Sequence, residues 1–276
     1  MTGPEGFAEA LGLARLRGAT LAEVDAAAAL QHRVDRKYLL PALSARCLVA
    51  ALAPTHHVLD VGGRRTTGYR STYFDTAGLG AWYAHVQGRR RRWKVRTRLY
   101  VEDGLCRVEV KTKDGRGATV KHARILAARE YGLIGAGAAA FVDDVLGAAG
   151  VPVRSGLLSP AGEIRYVRAA LADLTAGSRV TLDGRLTCHR GRATAALNHG
   201  FVLVETKGGP RPGAADRLLM GLGVRPLPLS KYVVGQALLV PGLPGNDVRR
   251  LVRYCFHAPT RAEPEARVPG PAGPAW

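Results

Sequence analysis

Apolar and polar residues alternate in short runs through the middle of the chain, the period-two signature of half-buried β-strands. The pattern predicts strands over 31–40, 69–75, 93–101, 105–113, 119–125, 163–171, 179–186 and 201–207. Turn signals such as Glu102-Asp103-Gly104 and Asp114-Gly115 punctuate them. Helical spacing appears after Pro41 (Leu43, Cys47, Leu48, Leu52) and stops before Pro54, and it returns over 138–146, 214–220 and 231–239. Residues 7–30 are rich in Ala and Leu, broken by Gly12 and Gly18, and predict one or two short helices. From 258 to 276 there is almost no large apolar residue, which predicts a disordered tail. The expected organisation is a helical extension over 1–30, one sheet-dominated domain over 31–240 and a C-terminal segment over 241–276.

Residues two apart on a strand share a face, so parity sorts the charges. Arg33, Asp35 and Lys37 fall together, as do Lys94, Arg96, Arg98 and Tyr100. Glu109, Lys111 and Lys113 share a face, as do Thr119 with Lys121, Tyr166 with Arg168, Arg179 with Thr181 and Asp183, and Glu205 with Lys207. The other face carries Val34, Val95, Leu99, Val108, Val110, Val180, Leu182, Val202 and Val204. On one strand this pattern describes a solvated sheet face. Repeated over seven or eight strands, it predicts a sheet closed into a barrel with a charged lumen and helices outside. Such a lumen repels itself unless a polyanion fills it. Asp35, Glu109, Asp183 and Glu205 temper the repulsion and are candidate ligands for Mn²⁺ or Mg²⁺, which favour oxygen donors.

The overall charge agrees. Lys and Arg number 40 against 22 Asp and Glu, a formal charge of +18, with an ordinary 47% of hydrophobic residues. A folded protein with that excess is expected to meet an acidic partner. Aromatic residues are only 6%, which disfavours a base-stacking platform. Four scattered cysteines with no CxxC pair disfavour a disulfide scaffold and a zinc ribbon and suit a cytoplasmic location. No run of about eighteen apolar residues exists, so no membrane span is expected, and Glu5 and Glu9 argue against a secretory signal.

In order along the chain, Arg33-Val-Asp35-Arg36-Lys37-Tyr38, Ser71-Thr-Tyr73-Phe74-Asp75-Thr76, Lys94-Val-Arg96-Thr-Arg98-Leu-Tyr100, Val108-Glu109-Val-Lys111-Thr-Lys113, Arg179-Val-Thr181-Leu-Asp183, Val204-Glu205-Thr-Lys207 and Ser230-Lys231-Tyr232 resemble the VTC domain of polyphosphate polymerases. That family lies within the triphosphate tunnel metalloenzymes, whose fold is an eight-stranded antiparallel barrel. The resemblance spans about 31–240. It implies an α+β, CYTH-like tunnel in which Lys37, Arg96, Arg98, Lys111, Lys121, Arg168, Arg179 and Lys231 grip phosphates and act in catalysis. Arg33, Lys94, Lys113, Lys207, Ser230 and Tyr232 would contact substrate, and Glu205, with Glu109, would hold the metal. The implied reaction moves the γ-phosphoryl of ATP onto a growing polyphosphate chain, with ATP and inorganic polyphosphate as partners and no specific nucleic acid. The first strand reads Arg33-x-Asp35-x-Lys37, where the hydrolytic branch carries Glu-x-Glu-x-Lys, so the resemblance favours the VTC branch. A tunnel triphosphatase or polyphosphatase, or a binding module without chemistry, are the alternatives.

Other signals carry less. Arg89-Arg90-Arg91-Arg92 is a solvated turn, a funnel for polyanions or a nucleic-acid patch. Gly135-Ala-Gly137 lacks the setting of a dinucleotide fingerprint, and Gly115-Arg-Gly117 fails the P-loop spacing. His56-His57 and Cys188-His189 are adjacent pairs poorly placed to share a metal. Neither GxSxG nor HExxH is present.

Overall fold

The computed structural model describes residues 3–27, 34–113, 119–244 and 254–257. Arg33 and the predicted tail over 258–276 lie outside them. In chain order the elements are α1 (Pro4–Leu11), β1 (Gly18–Ala19), α2 (Leu21–Ala27), β2 (Val34–Pro41), α3 (Ala42–Leu52), β3 (His57–Leu59), β4 (Thr67–Asp75), α4 (Gly80–Val86), β5 (Arg92–Tyr100), β6 (Leu105–Lys113), β7 (Thr119–Leu126), α5 (Ala136–Ala148), β8 (Ser159–Asp173), β9 (Ser178–Arg190), β10 (Ala193–Ala196), β11 (Phe201–Gly208), α6 (Ala214–Gly221) and α7 (Lys231–Leu239). All eight predicted strands are present, and β6 and α7 have the expected bounds.

The strands form one 11-stranded sheet whose main path is β2-β11-β9-β8-β4-β5-β6-β7, antiparallel at each step. The short β10 pairs with β9, β3 with β8, and β1 runs parallel to β3. This corrects the expectation of a closed eight-stranded barrel. The path has eight strands, but its ends β2 and β7 do not pair with each other among the described residues. Closure depends on tilt and stagger summed over all the strands between the ends. The inward lysines of the two end strands pair within the sheet, Lys37 with Glu205 at 3.6 Å and Lys121 with Glu109 at 2.6 Å.

Parity places the core as expected. Tyr38, Leu40, Ala169, Leu171, Val180, Leu182, Val202 and Val204 turn outward and are covered by α1, α3 and α6 through Phe7, Leu11, Leu48, Val49, Leu52 and Leu219. Phe74, Val95, Val108 and Val110 pack beneath α5. Gly184 permits the approach of α1, since a Cβ there would lie 2.3 Å from Cε2 of Phe7. Asp216 fixes α6 to the sheet by accepting hydrogen bonds from Tyr38 Oη at 2.8 Å and Thr206 Oγ1 at 2.6 Å. Val34 departs from the pattern and is 39% exposed at the start of β2.

A second core lies on the other side of the sheet. There α7 buries Tyr232, Val233, Val234, Leu238 and Leu239 against Ile164, Tyr166, Leu186, Leu203 and Trp82. The inward side is therefore apolar where α7 covers it and charged beyond the first residues of that helix. No helix among the described residues is long and apolar enough to cross a membrane.

Candidate active site

Next to the start of α7 the concave face encloses a cavity of about 220 Å³. Nine lysines and arginines line it, against the two carboxylates Glu109 and Glu205. The cations come from six strands and one helix. Their parity on the strands turns them inward while the apolar residues between them serve the outer core.

Three carboxylates hold the cations in place. Glu109, fully buried in its side chain, accepts from Arg96 Nε at 2.6 Å and Nη2 at 2.5 Å, lies 3.8 Å from Arg98 Nη1 and pairs with Lys121. Burial alone would raise its pKa, but Arg96, Arg98 and Lys121 overcome that and hold the carboxyl far below its ordinary range. Asp183, just behind the cavity wall, accepts from Arg168 at 2.5 and 2.7 Å and pairs with Lys231 at 2.6 Å. Burial opposes its charged form too, and Arg168 and Lys231 outweigh it. Glu205 is bound more loosely, at 3.6 Å from Lys37, and Lys207, Lys37 and Lys231 keep it ionised against burial. Tyrosines complete the walls. Arg96 donates to Tyr73 Oη at 2.7 Å, Arg98 to Tyr166 Oη at 3.0 Å, and the Lys231 ammonium stands 4.9 Å from the Tyr166 ring centroid.

Two further lysines sit chiefly among other cations. Lys94 donates to Ser230 Oγ at 2.9 Å and Lys111 faces it across the β5–β6 ladder. Burial, then Lys111, Lys37, Arg96 and Arg92, push the Lys94 ammonium down to about 7; burial, then Arg96 and Lys207, bring Lys111 to about 7 against the opposing pull of Glu205 and Asp35. Both nonetheless point into the cavity, beside the half-buried His85 of α4. Burial, followed by Lys94 and Arg92, lowers the His85 imidazole to about 4, so it is neutral at physiological pH. Sequence reasoning missed His85. It sits on a seven-residue helix with no periodic signal and no capping side chain at its own N-cap.

The N-terminus of that helix is fixed from a distance. Asp75, completely buried, accepts from Thr76, Ala81 and Trp82 backbone N–H groups at 2.7, 2.9 and 3.1 Å and from Tyr232 Oη at 2.6 Å. The Tyr232 ring stacks on Tyr73 at 4.9 Å, and Trp82 Nε1 donates to Val233 O at 3.1 Å. One carboxylate thus ties α4 to the first turn of α7, which presents Ser230 and Lys231. Tyr232→Phe keeps the ring stack and removes one hydrogen bond. It is expected to lower stability by about 1 kcal/mol, the worth of a buried hydrogen bond. A thermal melt checks this, and an unchanged Tm would mean that packing alone sets α7.

Of the sequence-predicted residues, Lys37, Lys94, Arg96, Arg98, Glu109, Lys111, Lys121, Arg168, Glu205, Lys207, Ser230 and Lys231 converge on the cavity. Tyr232 lies behind Tyr73, and Lys113 stands opposite Arg92 outside the cavity lining. Arg179 is a correction in placement. It turns to α2, donating to Val24 O at 2.8 Å and Asp25 Oδ1 at 3.0 Å.

The family comparison covers the first part of this constellation. Residues 32–139 match the VTC domain. The VTC match therefore contains Lys37, Lys94, Arg96, Arg98, Glu109, Lys111 and Lys121, while Arg168, Asp183, Glu205, Ser230 and Lys231 reach the same cavity from later strands and α7. No curated protein matches the chain. Among solved structures, the chain is similar to a putative adenylyl cyclase, HpAC1, from Hippeastrum, described as having a dominant triphosphatase activity (21% identity, 76% of this chain and 98% of that one, TM-score 0.47). It is also similar to a putative adenylate cyclase from Bacillus halodurans (16% identity, 72% and 94%, TM-score 0.46) and to PH1012 from Pyrococcus horikoshii (11% identity, 72% and 96%, TM-score 0.40).

The family resemblance implies a divalent metal, for which the cavity offers few donors. Among the described residues no group of three or more His, Cys, Asp or Glu side chains could hold a metal ion. Glu109 is already bound by Arg96 and Lys121. The remaining lining carboxylate, Glu205, has only the 3.6 Å contact to Lys37. The cavity thus offers one loosely held carboxylate, so a divalent ion there would have to draw most of its oxygen ligands from a bound substrate and water.

Proposed function

We propose that the protein is a polyphosphate polymerase that transfers the γ-phosphoryl group of ATP to a growing inorganic polyphosphate chain. The observation that carries this reading is the balance of charge in the cavity. Nine cations face two carboxylates, and one of the two is engaged by Arg96 and Lys121. Such a lining suits a phosphate polyanion and leaves little carboxylate to activate water. The VTC match over 32–139 supports the same reading.

Phosphoryl transfer needs alignment and charge stabilisation more than covalent work. An oxygen of the chain's terminal phosphate attacks the γ-phosphorus, the bond to the β–γ bridging oxygen breaks, and ADP leaves with that electron pair. Arg96 and Arg98, oriented by Glu109, and Arg168 and Lys231, oriented by Asp183, offer fixed donors to the equatorial oxygens. Lys37, Lys94 and Lys111 hold neighbouring phosphates, and Ser230 caps α7, whose first N–H groups favour anions. A bound divalent ion, held by Glu205 with phosphate oxygens, would neutralise part of the phosphate charge.

The test incubates purified protein with ATP and Mn²⁺, resolves polymer on a gel and quantifies ADP. Polymer with matching ADP is expected. Orthophosphate without polymer would make the protein a hydrolase, and untouched ATP would make it a binding module.

Lys94 sets a pH dependence. A polyanion favours its ammonium form, so binding takes up a proton where the empty cavity holds Lys94 at about 7 among Lys111, Lys37, Arg96 and Arg92. Triphosphate affinity is expected to fall as pH rises above 7, by up to about tenfold per pH unit for one such proton. Stability of the empty protein runs the other way. The unfolded lysine, near its ordinary 10.5, binds more protons than the folded one, so this group's contribution grows with pH between about 7 and 10.5. Titrations at pH 6 and pH 9 in two buffers check the proton uptake, and a Kd independent of pH would overturn it.

A further inference from the structure

The run Arg89–Arg92 occupies the turn between α4 and β5, next to the cavity but outside its lining. Arg89, Arg90 and Arg91 are exposed, and Arg92 is half-buried at the start of β5. Among the described residues none of the four has an acidic partner within 4 Å. Arg89 Nε donates to Gln87 Oε1 at 2.9 Å and Arg91 Nη1 to Gly150 O at 3.3 Å, both neutral acceptors. An uncompensated cluster of this kind costs mutual repulsion, which solvent and salt screen in part.

Its position gives the cluster a direction. On β5 the side chains of Arg92, Lys94, Arg96 and Arg98 share one face at intervals of about 6.7 Å, and the last three line the cavity. Arg92 is the next step outward, with Lys113 opposite it as Lys111 is opposite Lys94. His85, in the cavity wall, feels both Lys94 and Arg92, so the inner and outer cations share one field. From there the chain turns back through Arg91, Arg90 and Arg89 without a carboxylate intervening.

We propose that Arg89–Arg92 is an outer track that binds the part of a linear polyphosphate chain extending beyond the cavity. This rests on the phosphate-binding reading of the cavity and extends it. A cavity of about 220 Å³ holds only a few phosphate groups, and the rest of a longer chain must lie outside. Guanidinium groups bind phosphate oxygens in a bidentate fork, which suits a track built from arginine. A duplex nucleic acid, about 20 Å across, could touch the track but could not enter the cavity with it.

The experiment compares dissociation constants for inorganic triphosphate and for a long-chain polyphosphate, in the unaltered protein and in the triple variant R89Q/R90Q/R91Q, over a range of salt. The unaltered protein is expected to prefer the long chain. In the variant that preference should fall by about tenfold or more, and the salt slope for the long chain should shrink by about two, as three phosphate contacts are lost. Arg90→Gln alone replaces an arginine that makes no hydrogen bond or ion pair among the described residues, and it should give a smaller shift in the same direction without a change in thermal unfolding. An unchanged preference in the triple variant would overturn the track. So would an equal loss for both ligands, which would place the effect in the cavity. Displacement of long-chain polyphosphate by duplex DNA at equal phosphate concentration would replace the track with a nucleic-acid surface. If the unaltered protein binds neither phosphate ligand, the cavity reading itself fails. If it binds both with no preference for length, only the track fails.

Discussion

Arg96→Ala is expected, under the proposed phosphoryl transfer, to lower the rate of ATP consumption by about a hundredfold or more, the usual cost of removing one preorganised donor from a developing phosphate charge. Arg96 stands in the middle of the cation row on β5, fixed by Glu109 on one side and by Tyr73 on the other. Its loss removes a donor already aimed at the cavity. The fold should survive, because Glu109 keeps Lys121 at 2.6 Å and so is not left as an uncompensated buried charge. Arg96→Lys should recover little, since one ammonium cannot reproduce a guanidinium bound to both the carboxylate and the tyrosine. Steady-state kinetics beside a thermal melt check this. A rate within about threefold of the unaltered protein's would remove Arg96 from the phosphate grip.

Much of this arrangement was legible in the alternation of the strands. Parity alone assigned Val95 and Val108 to the outer core and Lys94, Arg96, Arg98, Glu109, Lys111 and Lys121 to the inner face, because the pleat leaves no third choice. Parity says which face, not how far along the strand a cavity extends. Arg179 shares a face with Asp183, yet it is four residues away, about 13 Å at strand rise, and there the cavity has given way to α2 and Asp25. Closure was illegible for a similar reason. Whether β2 meets β7 depends on tilt and stagger accumulated over all the strands between them, and no local pattern encodes that sum. The short α4 left no trace because its start is capped by Asp75 from β4 and its seven residues, packed through Ala81, Trp82, Tyr83 and Val86, are too few to show a helical period. Its His85 could not be assigned to the cavity before the helix was placed.

The second large effect concerns stability. Asp183→Asn removes a fully buried negative charge that pairs with Arg168 and Lys231. The two cations are then left facing each other in a half-sealed cavity. Breaking a buried ion pair on one side costs about 3–5 kcal/mol, which for a protein of this size lowers Tm by roughly 10 °C. Unlike Glu109, which retains Lys121 when Arg96 is lost, Arg168 has no second carboxylate among its ion pairs with the described residues. An added polyanion can supply the missing negative charge, since Arg168 and Lys231 both line the cavity. Inorganic triphosphate is therefore expected to raise Tm by more in the Asn variant than in the unaltered protein, although the variant starts lower. Scanning calorimetry with and without triphosphate separates the two roles of Asp183. A larger ligand-induced rise shows that the carboxylate chiefly neutralises the cations between turnovers. A smaller one would mean that it chiefly aims them, and would overturn the expectation that substrate and Asp183 offset the same buried charge.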